Sequence, residues 1–115
     1  TTKESKQFDK SFLVNIKNKS FVRFNGLLDM AHKEGLTKMV IDNMTVSSDG
    51  KIAWCLGHVE FKDGKIVHMS GSAKAETLKT HLIGYEVEMA ATRMFARCLR
   101  NALNIDFVSV EEMSD

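Results

Sequence analysis

Hydrophobic and polar positions recur with two periods along this chain, and the change of period divides it into elements. Residues 12–16 and 20–24 are short β-type runs. The polar break Lys17-Asn18-Lys19 between them predicts a small hairpin with a basic tip. Residues 25–34 shift to helical spacing, with Leu27, Leu28 and Ala31 on an apolar side. Asn25 fits the N-cap, and Gly35 fits the C′ position, where positive φ is cheap. Residues 37–47 predict a strand, followed by the turn Ser48-Asp49-Gly50. In residues 51–61, Ala53, Cys55, Gly57, Val59 and Phe61 alternate with Ile52, Trp54, Leu56 and His58. Both faces are largely apolar, so this strand is expected to be central or covered on both sides. A second turn, Lys62-Asp63-Gly64, leads to a third strand over residues 65–70. Tight Asp-Gly turns make the three strands an antiparallel meander.

Residues 70–80 are small and polar and read as a loop. A long helix is expected from about His81, with Gly84 as an early bend. Val87, Ala91, Met94, Cys98 and Ala102 recur at helical spacing on one face, and Met89, Ala96, Leu99 and Leu103 add a second, weaker strip. Arg93, Arg97 and Arg100 lie within about 60° of each other, roughly opposite the first face. Residues 105–110, IDFVSV, fit a short last strand or an extended tail. The order β-β-α-β-β-β-α is α+β: an N-terminal hairpin and short helix, then a three-stranded antiparallel meander packed against one long helix.

The chain has 115 residues and neither repeats nor Pro, which fits a single domain. Residues 1–10 read as a frayed leader, 11–105 as the core and 106–115 as a short strand or acidic tail. Net charge is +1, so nucleic-acid binding has to come from local clustering rather than a global field. Three of the last five residues are acidic, which leaves a mild basic excess on the rest. Cys55 and Cys98 stand alone and read as buried thiols in a reducing, cytoplasmic compartment. The four histidines show no ligand spacing along the chain, so no metal or other cofactor is expected. No run of about 18 apolar residues predicts a membrane span.

Motifs for nucleophilic, phosphate-loop and dinucleotide chemistry are missing, so the chain does not read as an enzyme. His58 and His68 read as packed strand histidines, and His81 has no partner by spacing. The arginines admit two readings. They are a solvated face, paired in part with Glu86, or they face something anionic. Lys17, Lys19 and Arg23 interleave with Phe21 and Phe24, a pattern that neutralises phosphate and stacks bases, although the phenylalanines also suit a core. With Lys74 and Lys79 leading into the arginines, these side chains outline a basic groove between hairpin and long helix.

The run Glu88-Met89-Ala90-Ala91-Thr92-Arg93-Met94-Phe95-Ala96-Arg97-Cys98-Leu99-Arg100 resembles the "MAETRAxARALR" helix of single-strand annealing proteins, the Rad fifty-two, phage Erf and DdrA-like superfamily. Gly71-Ser72-Ala73 resembles the "GDAS" loop before that helix. Residues 21–28, FVRFNGLL, with residues 31–36, AHKEGL, look like the family's opening hairpin and first helix. The chain departs from the pattern at Ala91, where the family has Glu, and at Ser72, where it has Asp. The resemblance implies a phage or prokaryotic protein that binds single-stranded DNA and anneals complementary strands in recombination or repair. It implies no ATP and assembly as a ring or filament homo-oligomer. It places DNA beside Lys17, Lys19 and Arg23 of the hairpin and Arg93, Arg97 and Arg100 of the helix. The alternative is a small ligand-binding enzyme whose sheet–helix pocket is lined by Trp54, His58, Tyr85 and Met89.

Overall fold

The computed structural model describes residues 13–16, 19–78, 84–105, 109 and 112, with backbone only at 13–16, 19, 20 and 77. The predicted leader, Lys17, Lys79, His81 and most of residues 106–115 lie outside the described residues. The order of elements is β1 (Leu13–Ile16), β2 (Lys19–Val22), α1 (Phe24–Lys33), β3 (Leu36–Val46), β4 (Ile52–Phe61), β5 (Ile66–Lys74), a 3-10 turn (Ala75–Thr77) and α2 (Glu86–Leu103). This is the predicted α+β architecture, β-β-α-β-β-β-α.

β1 and β2 form an antiparallel hairpin, with Leu13 opposite Val22 and Ile16 opposite Lys19. α1 starts at Phe24, because the Arg23 carbonyl accepts the first helical N–H groups, from Gly26 and Leu27. Arg23 therefore caps the helix, not Asn25. Gly35 ends the α1 turn at φ +99°, as expected.

β3, β4 and β5 form the meander, with β4 in the centre. Gly50 and Gly64 take positive φ in the two Asp-Gly turns. In each turn the aspartate anchors its own loop: Asp49 accepts from Lys51 N–H and Ser47 Oγ, and Asp63 accepts from Lys65 N–H. Ala53, Cys55, Val59 and Phe61 of β4 are buried beneath α2, with Ala73 of β5. The alternate residues Trp54 and Leu56 are 44% and 52% exposed. Only one face of the sheet is therefore covered by described residues.

β5 runs four residues past the predicted strand end at Ser70, through Gly71, Ser72 and Ala73 to Lys74. The stretch reads as a loop because its inward residues are small. Smallness is what the packing requires here. A Cβ on Gly71 would lie 2.4 Å from Met94 N and 2.6 Å from Ala90 O of α2. Gly57 of β4 similarly makes room for the Met94 side chain.

α2 starts at Glu86 rather than at His81. Gly84, at φ +101°, precedes the helix instead of bending it. The buried Glu86 carboxylate accepts from Gly84 N–H at 2.9 Å, which places an acid on the positive end of the helix dipole. The two predicted apolar strips merge into one broad face of Ala90, Met94, Ala96, Cys98, Leu99, Ala102 and Leu103, whereas Val87 is exposed. Asn104 ends α2 in the left-handed region, and Lys65 Nζ donates to the Ala102 carbonyl at 3.0 Å. No described helix is long and apolar enough to cross a membrane.

Candidate nucleic-acid interface

Two of the three arginines of α2, Arg93 and Arg97, reach the outer edge of β5. Among the described residues β5 pairs only with β4, so half of its carbonyls face away from the sheet. Arg93 is 7% exposed and donates to the Ser72 carbonyl at 3.0 Å, and Arg97 donates to the Ser70 carbonyl at 3.2 Å. These bonds satisfy edge carbonyls and fasten the helix to the strand. The stripe is thus graded. Arg93 is an internal strut, while the Arg97 side chain is 51% exposed.

Arg100 meets a carboxylate. Its Nε and Nη2 donate to the two oxygens of Glu112, each at 2.6 Å, in a two-pronged pair. Arg97 Nε is 3.7 Å from the same carboxylate, and Ser109 N–H donates to it at 3.1 Å. The Glu112 side chain is only 5% exposed. Burial pushes its pKa up, but hydrogen bonds from Arg100 and Ser109 outweigh burial and hold it below the ordinary glutamate value.

Around this pair lies an open cleft of about 560 Å³ lined by Met69, Arg97, Arg100, Asn101, Asn104 and Ile105. Its polar side chains are two guanidiniums and two amides, all able to donate. Ser109 forms a parallel bridge with Val22 at the end of β2. The exposed Arg23 follows Val22 directly, so hairpin and long helix approach each other across the Ser109–Glu112 region.

The remaining predicted basic residues are placed as follows. Lys19 is paired opposite Ile16 in the hairpin, and its side chain lies outside the described residues. Lys74 is exposed at the end of β5, opposite Ile52. Lys17 and Lys79 lie outside the described residues. Phe21 and Phe24 are half-buried, and Phe24 packs against the core. Glu112 was not anticipated as a partner, because twelve residues and the end of a helix separate it from Arg100.

The residues of the alternative pocket do not converge. Trp54 and His58 lie on the sheet face away from α2, Tyr85 is exposed before the helix, and the sheet–helix interface is filled by core side chains. His58 instead meets Asp42 and Glu60, with Nδ1 2.8 Å from Asp42 Oδ2 and Nε2 3.1 Å from Glu60 Oε2. The bond to Asp42, and then the one to Glu60, raise the His58 pKa against the opposing effect of burial. Cys55 and Cys98 are buried free thiols, and burial pushes Cys98 up to about 11. No protein-family model matches the chain, and no curated protein matches it in sequence.

Proposed function

We propose that this protein binds single-stranded DNA and anneals complementary strands without ATP or another cofactor, as the resemblance of its α2 sequence implies. The observation that carries this reading is the Arg97–Arg100 cleft. Beside it Arg100 holds the Glu112 carboxylate in the two-pronged geometry that guanidinium offers equally to phosphate, and the half-exposed Arg97 lines the open cleft. A strand lying along the cleft would place successive phosphates near Arg97 and Arg100 and then near Arg23 and the basic hairpin. Held by its backbone, it keeps its base edges available for a second strand to test. Lys74 is proposed as a further contact, Lys17, Lys19 and Lys79 are assigned to DNA from the sequence alone, and Arg93 braces the helix on β5. No bond is made or broken by the protein.

The same reading includes self-association into a ring or filament. Support comes from the 11-residue edge strand β3 and from Trp54, Leu56 and Ile66, which leave apolar surface on the open face of the sheet. The test is an annealing assay with complementary labelled strands in ATP-free buffer, run beside size measurement by light scattering. Faster annealing by the wild type, reduced by Arg97→Ala, is the expected result. Annealing at the protein-free rate would overturn the reading.

A further inference from the structure

The open face of the sheet brings together three side chains from three strands. His58 of β4 and His68 of β5 stand directly opposite each other in the antiparallel register, with ring centroids 4.8 Å apart. Asp42 comes from β3, where the register shifts between Ile41 and Asn43. That irregularity inserts an extra residue and turns Asp42 toward the histidines. Asp42 Oδ2 lies 2.8 Å from His58 Nδ1 and 3.7 Å from His68 Nδ1.

We infer that Asp42, His58 and His68 form a binding site for a divalent transition-metal ion, with Zn²⁺ the best fit. All three ligand atoms lie within 4.8 Å of one another. Around Zn²⁺, with bonds of about 2.0–2.1 Å in a tetrahedron, ligand atoms sit roughly 3.3 Å apart. The two measured distances to Asp42 bracket that value. The wider separation closes by rotation of His68, whose side chain is 68% exposed and has room to turn. Two imidazoles and one carboxylate suit Zn²⁺, Ni²⁺ or Cu²⁺ rather than Mg²⁺ or Ca²⁺, and leave a position for water.

A supporting group is in place as well. With His58 Nδ1 on the metal, Nε2–H donates to Glu60, the carboxylate–histidine–metal arrangement that fixes ring and tautomer. The site lies on the sheet face opposite α2, and the inference does not depend on the DNA reading.

The experiment is calorimetric titration of Zn²⁺ into tag-free, chelator-treated protein, followed by Co²⁺ absorption. The inference predicts saturable binding of one Zn²⁺ per chain. It predicts losses of more than about tenfold in affinity for His68→Ala and Asp42→Asn, and about tenfold for Glu60→Gln. His32→Ala, at an exposed histidine on α1, should bind like the wild type. His68 and Asp42 are exposed, and circular dichroism of their variants checks that each folds like the wild type. Co²⁺ should give ligand-field bands without thiolate charge transfer. Absence of saturable binding, binding unchanged in His68→Ala and Asp42→Asn, or a thiolate band would each overturn the site.

Discussion

Replacing Gly71 by alanine tests how closely α2 lies on the sheet. The added methyl carbon would sit 2.4 Å from Met94 N, 2.6 Å from Ala90 O and 2.9 Å from Met94 Cα. Ordinary contact begins near 3.4 Å, so the overlap reaches about 1 Å. These three nearest atoms all belong to helix backbone, which cannot rotate aside as a side chain does. The helix has to retreat, and the contacts of Met94 and Cys98 with the sheet loosen together. Overpacking of a core costs about 1–3 kcal/mol, and a backbone clash belongs at the upper end, about 3 kcal/mol. For a domain of this size that lowers Tm by roughly 12 °C. The assay is urea and thermal unfolding followed by circular dichroism. Gly64→Ala is the control: its methyl enters open space, but φ is +93°, so the cost is backbone strain of about 1–2 kcal/mol. A Gly71→Ala loss below about 1 kcal/mol would refute the close packing inferred here.

Arg93→Ala removes a buried donor from the Ser72 carbonyl and should destabilise by about 2 kcal/mol in urea unfolding, whereas the exposed Arg97→Ala should cost under about 1 kcal/mol. Equal losses would contradict the division into strut and surface arginine. Because the Glu112 pKa is lowered in the folded protein, its contribution is present above the ordinary glutamate range and is lost as pH falls through the lowered value. The stability gap between wild type and Glu112→Gln should therefore be largest at neutral pH and shrink toward pH 3; a gap independent of pH counts against the ion pair. With both thiols buried and Cys98 raised to about 11, a disulfide reagent at pH 8 should modify neither cysteine until the chain unfolds. Rapid modification of the native protein would contradict their placement.

The meander was legible because Asp49-Gly50 and Asp63-Gly64 demand tight turns, and a tight turn sets antiparallel register. The end of β5 was not, because Gly71 and Ala73 look like loop residues unless the helix above them is known. Helical spacing places Arg93, Arg97 and Arg100 relative to one another, but it does not say how the helix is rotated on its sheet. That rotation turns Arg93 inward onto the edge of β5 and leaves Arg97 outside. Half of the histidine cluster was open to inspection: His58 and His68 are equidistant from Asp63, so the hairpin pairs them. Asp42 joins them through a register shift in β3, which leaves no mark in the periodicity.

The most direct test of the annealing account is fluorescence anisotropy of a labelled strand of ~30 nucleotides, titrated with protein over a range of salt concentrations. The account predicts tighter binding to single strand than to duplex, and log K falling linearly with log salt by about 0.7 per phosphate neutralised. Arg97→Ala should lower that slope by about one contact. No binding at low salt, or binding indifferent to salt, would contradict it.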